Sequence, residues 1–397
     1  MTSEVQSEIE VGAISLNHVG EELCGDNVVS HRNADGTLTL VLADGLGSGV
    51  TANILSTLTS TMLLQMMEGG IGIEEAVDAL AKTLPISLHR GNLAYSTFTI
   101  VQVKPDFSFV LFNYDNPEPV LLHEGKNKDF FYQQLEIGGK KIGRAEGKLG
   151  LHDVILLFSD GAVYAGVGET LNFGWTRKEI INYMEGLYQP EITSQNLASC
   201  LIDHCDILYN HREGDDTTAV AIRRRPRQNV NLLVGPASKK EDDPKMMSLF
   251  FHKEGLHIVC GGTTASVAAR YLHESIDQSL DYVDKRIPPI SHLEGVDLVT
   301  EGVITLNRVV ELAKDYLDKD KEYFNWCFRQ DGASLLAKAL FQDATDISFY
   351  VGCAVNPAHQ DPSLGISIAL KMQLVEELTK YLKRMDKHIH GEPWGLR

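Results

Sequence analysis

The chain has 397 residues, enough for two domains with a core each. Its 54 acidic and 36 basic side chains give a formal net charge of -18, which argues against general affinity for nucleic acid or an anionic membrane. There is no apolar run of bilayer length, no signal-peptide pattern at the start and no C-x-x-C among six scattered cysteines, so a cytoplasmic protein with reduced thiols is expected and a membrane protein is not.

In chain order, Ile9–Leu16 alternates like a strand, and Cys24-Gly25-Asp26-Asn27 is a turn that leads into another. Thr37–Ala43 is apolar and β-branched and predicts a buried strand. It runs into Asp44-Gly45-Leu46-Gly47-Ser48-Gly49, and helical spacing resumes at Ala52. Asp44 thus sits where a strand stops and a helix starts, in a turn of glycines that allow close backbone approach. An Asp-Gly pair also marks ordinary turns.

The helix is expected to reach about Met67, stopped by Gly69-Gly70, and a second to span about Ile73–His89. Ser96–Val103 and Phe107–Phe112, joined at Pro105-Asp106, predict a hairpin, and Val120–His123 a short strand. His152–Phe158 is a further apolar strand ending in Ser159-Asp160-Gly161. Helices follow at about Thr176–Glu185 and Ser194–Tyr209; Cys200, His204 and Cys205 read as packing residues there rather than metal ligands. Gly214-Asp215-Asp216-Thr217-Thr218 opens the next strand, and a solvated turn is the plain reading of the pair. Aspartates at several strand edges would repel if brought together, unless hard cations such as Mg²⁺ or Mn²⁺ neutralised them.

Asp44-Gly45-Leu46-Gly47-Ser48-Gly49 with Ala52 and Ser56, then Ser159-Asp160-Gly161, then Gly214-Asp215-Asp216-Thr217-Thr218 resemble PPM-type protein phosphatases of the bacterial SpoIIE-like branch. Gly25-Asp26 matches that branch's early acidic turn, and the likeness spans about Ile9–Arg224. The resemblance implies an α+β four-layer sandwich, two antiparallel sheets flanked by helices, with two Mn²⁺ or Mg²⁺ ions at one edge. It implies hydrolysis of phosphoserine or phosphothreonine by a hydroxide bridging the two metals, with no covalent phosphoenzyme. Asp44 would bridge the metals, the Gly45 carbonyl would complete one shell, Asp160 and Asp215 would hold the other ion, and Asp26 would lie beside them; Asp216 is the less favoured of its pair. The implied substrate is a phosphoprotein of the anti-sigma-antagonist kind. The animal and plant branch places a histidine where this chain has Leu46, and an arginine before Asp26 where this chain has none; His18 is one alternative donor or clamp, a surface strand end the other. The rival function is a pseudophosphatase serving as a ligand-sensing module.

Arg223-Arg224-Arg225-Pro226-Arg227 reads as a strand end running into a boundary, giving domains 1–226 and 227–397. The second part alternates strands and helices: strands at Val230–Val234, Leu256–Cys260, Val296–Thr300 and Asp346–Gly352, a turn at Asn356-Pro357, and helices from about Ala265, Val303 and Ile366, the last reaching about Lys387. A second, three-layer α/β domain with a mostly parallel sheet is expected. Strand ends there are ligand positions, so Gly261, Gly262, Thr263 and Thr264, with Gly235, Glu301 and Gly302, form a candidate loop for a small anion. Tight packing at a βα turn is the alternative.

Overall fold

The computed structural model of the chain describes residues 6–83, 96–278, 289–317, 329–354, 366–391 and 393–394. Its contacts divide the chain into two compact units, Met1–Pro226 and Arg227–Arg397. The expected continuation of the second helix to His89 and the turn at Asn356-Pro357 lie outside the described residues.

The first unit runs β1 (Ser7–Leu16), β2 (Asp26–Arg32), β3 (Leu38–Gly45), α1 (Gly49–Glu68), α2 (Ile73–Thr83), β4 (Ser96–Val103), β5 (Ser108–Tyr114), β6 (Val120–His123), β7 (Lys126–Lys128), β8 (Gln133–Ile137), β9 (Lys140–Lys148), β10 (Val154–Phe158), α3 (Asp160–Tyr164), α4 (Arg177–Leu187), α5 (Ser194–Leu208) and β11 (Thr217–Pro226). The strands form two antiparallel sheets, ordered β1-β11-β10-β6-β7 and β2-β3-β4-β5-β9-β8.

The continuous apolar runs follow from a strand's two-residue period with both faces covered. On β3, Leu38, Leu40 and Leu42 enter a core shared with Val220 and Ile222 of the other sheet, while Val41 and Ala43 meet Leu63, Leu64, Val77 and Leu80 of α1 and α2. On β10, Ile155 and Leu157 join that shared core, and Val154, Leu156 and Phe158 pack with α4 and α5. Small residues let helices close in: a side chain on Gly12 would sit 2.3 Å from the Gln195 backbone of α5. α4 starts on a capping box of Thr176 and Glu179. Cys205 lies in the core of α5, and the His204 ring stacks on Tyr183. The arginines ending β11 are engaged within the unit: Arg223 donates to the Ile192 carbonyl, Arg224 lies over the Phe107 ring and donates to the Leu149 carbonyl, and Arg225 pairs with Glu10 at 2.6 Å.

The second unit runs β12 (Asn229–Val234), α6 (Asp243–Phe251), β13 (Leu256–Cys260), α7 (Gly262–Leu272), β14 (Asp277–Gln278), β15 (Ser291–Leu293), β16 (Val296–Thr300), α8 (Val303–Leu317), α9 (Gly332–Ala337), a π-helical turn (Lys338–Asp343), β17 (Asp346–Gly352), α10 (Ile366–Arg384), β18 (His388–His390) and β19 (Pro393–Trp394). Strands β16-β13-β12-β17-β18 are parallel, and β19 also joins β17 in parallel. β14 and β15 add an antiparallel margin at β16, so the sheet is mixed. Helices α6 and α7 cover the face bearing Leu233 and Val259; α8, α9 and α10 cover the face bearing Leu232 and Ile258. Among the described residues no helix is long and apolar enough to cross a membrane.

Candidate functional site

Four separate chain segments bring aspartates to one place in the first unit. Asp26 begins β2 and pairs directly across the ladder with Asp44, at the end of β3. The Gly45 amide donates to the Gly25 carbonyl at 3.1 Å, and a Gly45 side chain would meet the Ala52 carbonyl at 2.0 Å. The turn after Asp44 therefore folds back onto the first turn of α1, which only glycine permits. The Ser96 hydroxyl donates to the Asp44 carbonyl at 2.6 Å, fixing the other edge of β3.

Asp160 begins α3 just after β10. Ser159 ties this corner to β11: its amide donates to the Thr218 carbonyl at 3.0 Å, and its hydroxyl accepts from the Thr218 amide at 2.8 Å. A side chain on Gly161 would overlap the Asp216 carbonyl at 2.2 Å, so α3 rests on the Asp215-Asp216 backbone. A side chain on Gly25 would lie 2.6 Å from Asp216 Oδ2. Through that approach the acids of the β10–β11 sheet meet those of the β2–β3 sheet.

The electrostatics reflect crowding. Burial, then the charges of Asp26 and Asp160, pushes Asp44 up to about 9, and the Asp160 carboxyl lies within hydrogen-bonding reach of it. Asp26 rises to about 7, mainly through burial; the Ser159 and Thr218 hydroxyls act the other way, and Asp216 and Asp160 add repulsion. Asp215 rises to about 6 through burial and Asp160, and burial also raises Asp160. Both oxygens of Asp26 and Oδ2 of Asp216 are buried without a regular hydrogen-bond partner. Asp216 Oδ1 accepts from the His18 amide at 2.9 Å, and Asp215 Oδ1 accepts from the Asp216 amide at 2.9 Å. Buried carboxylate oxygens set among like charges and short of well-formed hydrogen bonds are a donor set for hard divalent cations. Among the described residues no three carboxylate, imidazole or thiol groups are already closed on one point.

Both members of the Asp215-Asp216 pair reach the cluster, and Asp216, placed second by the sequence reading, is the more buried. His18 lies beside the pair, and its ring Nδ1 is buried without a partner. Leu46 is 62% exposed and opens an apolar stripe of Val50, Ile54 and Leu58 along α1. The packing roles of Gly25 and Gly161 escaped the sequence reading; their only signal was to precede or follow an aspartate.

In the second unit, Gly261 and Gly262 open α7 and Thr264 is buried in its first turn. The Thr264 hydroxyl accepts from the Gly235 amide at 3.0 Å, linking two of the expected loop segments. The Gly302 amide donates to Glu301 Oε2 at 3.3 Å, and Oε1 lies 3.8 Å from where a Gly262 side chain would begin. The carboxylate nearest the α7 N-terminus thus belongs to the loop itself. Thr263 is exposed.

Residues 34–225, just under half of the chain, match the family model for stage II sporulation protein E (SpoIIE). The match includes Asp44, Asp160, Asp215 and Asp216 and begins after Asp26. No curated protein matches the chain. Among solved structures, the RsbU and RsbW domains of a Mycobacterium tuberculosis protein are 21% identical, with TM-score 0.46, over 56% of this chain and 63% of that one. The PP2C phosphatase domain with a fragment of the regulatory domain of SpoIIE from Bacillus subtilis is 21% identical, with TM-score 0.47, over 55% and 64%. RsbX in complex with magnesium is 18% identical, with TM-score 0.40, over 56% of this chain and 100% of that one. The chain thus spans under two thirds of the first two structures.

Proposed function

Taking residues 34–225 as a SpoIIE-type domain, we propose that the first unit is a metal-dependent phosphatase acting on phosphoserine or phosphothreonine in a protein. The observation that carries this reading is the convergence of Asp26, Asp44, Asp160, Asp215 and Asp216, with pKa values of the first four pushed up by burial and mutual repulsion. Two cores between each sheet and its helices, and one between the sheets, support a four-layer sandwich.

Asp26, Asp44, the Gly45 carbonyl, Asp160 and Asp215 would hold two ions, Mn²⁺ or Mg²⁺. Such ions supply an acidified water and offset charge on the phosphoryl oxygens during in-line displacement. The residues' own task is to keep negative charge at the sheet edge and to hold each carboxylate on a strand or helix end. The Cys24 thiol beside the cluster is no ready nucleophile: burial, then Asp26, pushes it up to about 12, so it stays protonated at neutral pH. The Leu46–Leu58 stripe beside the cluster suits a protein-sized substrate, and the family resemblance suggests an anti-sigma-antagonist-like phosphoprotein. The second unit is proposed as its regulatory partner within the chain. A pseudophosphatase reading has no supporting observation, because every acid of the pattern is present.

The test is phosphate release from p-nitrophenyl phosphate and a phosphoserine peptide, with Mn²⁺ and with EDTA. Metal-dependent release from both is expected. No release at any Mn²⁺ or Mg²⁺ concentration from folded protein would overturn the assignment.

A further inference from the structure

The order β16-β13-β12-β17-β18 reverses direction at β12. From β12 the chain proceeds through α6 to β13 and α7 to β16; β17 then lies on the other flank of β12, and α10 leads to β18. The segments leaving β12 and β17 therefore head to helices on opposite faces. In open α/β sheets, the carboxyl edge at such a reversal is where ligands bind.

Both strand ends here are glycine. Gly235 has φ +83, and a side chain on it would sit 2.5 Å from the ammonium nitrogen of Lys371. A side chain on Gly352 would meet the Pro236 carbonyl at 1.9 Å. The glycines leave room for Lys371, which comes from α10 and is 8% exposed. Lys371 Nζ donates to the Gly352 carbonyl. An ammonium has three N–H donors, and among the described residues no carboxylate pairs with this one. Burial lowers the amine from the ordinary lysine value, with Cys353 acting the other way. A buried cation without a counter-charge is costly in a folded protein unless something pairs with it.

We propose that the carboxyl edge of the second sheet, between Gly235 and Gly352, binds a small ligand through an oxyanion group, phosphate or carboxylate, with Lys371 as its cation. This places the anion one strand away from the Gly261–Thr264 turn, where Glu301 already supplies negative charge. The proposal is independent of the phosphatase reading.

The experiment uses the full chain in EDTA, so that metal-assisted phosphate binding in the first unit is silent. Inorganic phosphate and malonate are the two probes, with sodium chloride matched for ionic strength. Reductive methylation with peptide mass mapping reads Lys371 directly. At a probe concentration ten times its dissociation constant, labelling of Lys371 slows about tenfold. Protection by phosphate alone assigns a phosphorylated ligand, and protection by malonate alone a carboxylate. Thermal unfolding provides the second measurement: the winning probe raises the melting temperature of the native chain and of K371R, and not that of K371M. Lys371 labelling unaffected by either anion would overturn the proposal and leave Lys371 a tie between α10 and β17. Equal stabilisation of the native chain and K371M would do the same, since sulfate-like salts stabilise folded proteins without a site.

Discussion

Two turns in this molecule share one local grammar and do different things. Asp44–Gly49 leads from β3 into α1, and Gly261-Gly262 from β13 into α7. In the first, the glycines bring the turn against Ala52, and acids from β2, α3 and the start of β11 arrive from elsewhere in the chain. The result is a crowd of acids that the metal-free fold keeps protonated above the ordinary aspartate range. In the second, Gly261 approaches Gly302 of the neighbouring segment, and the nearest carboxylate, Glu301, faces helix N-termini that favour it. A strand–glycine–helix turn makes room; convergence of like charges from distant segments makes a demand for a ligand.

The comparison breaks if the acids of the first turn prove dispensable. Asp44→Asn keeps the volume and removes the charge shared by both halves of the cluster. Loss of about 10³-fold or more in turnover is expected, the worth of several kcal/mol of charge stabilisation. Thermal unfolding without metal should be unchanged or improved, because a repelled buried carboxylate has gone. Near-normal activity at saturating Mn²⁺ would remove Asp44 from the chemistry. Glu301→Gln in the other turn should leave phosphatase activity within experimental error.

A smaller effect separates the members of the cluster. Asp160→Asn and Asp215→Asn should each raise the Mn²⁺ concentration needed for half-maximal rate by about 10–100-fold, the usual cost of disturbing a metal's ligand environment. Asp216→Asn is the informative third. Its unpartnered Oδ2 lies against Gly25, so a metal requirement shifted as far as for Asp215→Asn would make the pair equal ligands.

That ambiguity shows where sequence reading stops. The buried strands were legible because both faces of β3, β10 and β11 are covered, which writes continuous apolar runs. Asp44 and Asp160 were legible because each closes such a run. Which aspartate of a pair turns inward depends on the first register position of β11 against Ser159, and spacing does not encode that. β8 and β9 were not read, since Gln133–Ile137 and Lys140–Lys148 form a sheet margin with few apolar residues to alternate. β14 and β15, two and three residues long, are too short to show a period, so the antiparallel margin of the second sheet was missed. Lys371 lay inside an ordinary amphipathic helix pattern; only Gly235 and Gly352, far apart in sequence, reveal its setting.

A gentler test sharpens the electrostatic contrast. Asp26, Asp44 and Asp215 sit at about 7, 9 and 6, above the ordinary aspartate value of 3.8. The folded chain therefore holds protons that the unfolded chain has already released. Their contribution is fully present below about pH 4 and is lost as pH rises through the folded values. Stability of the metal-free chain, from urea unfolding, should fall between about pH 4 and 9. Saturating Mg²⁺ should flatten that slope, because bound cations favour the ionised acids. A metal-free stability that is flat or rises across this range would mean the carboxylates are less crowded than their burial indicates.

The smallest expected effect concerns motion beside the acid turn. Asn53 of α1 donates to the Cys24 carbonyl at 2.8 Å, just before Asp26, and Ala52 packs over Gly45. The first turns of α1 are thus coupled to both edges of the cluster. Gly70, between α1 and α2, has φ +82, and the Gly70 and Ile71 amides close the end of α1 by donating to the Met67 and Met66 carbonyls at 3.0 Å. Drawing the acids onto cations should tighten the Asp44–Gly49 turn and, through it, α1. Hydrogen exchange should show the amides of α1 and α2 several-fold better protected with Mn²⁺ than with EDTA, while α7, on the other glycine turn, exchanges at the same rate in both. If α1 and α2 are equally protected in the two states, they are fixed packing and the acid turn is rigid before any metal arrives.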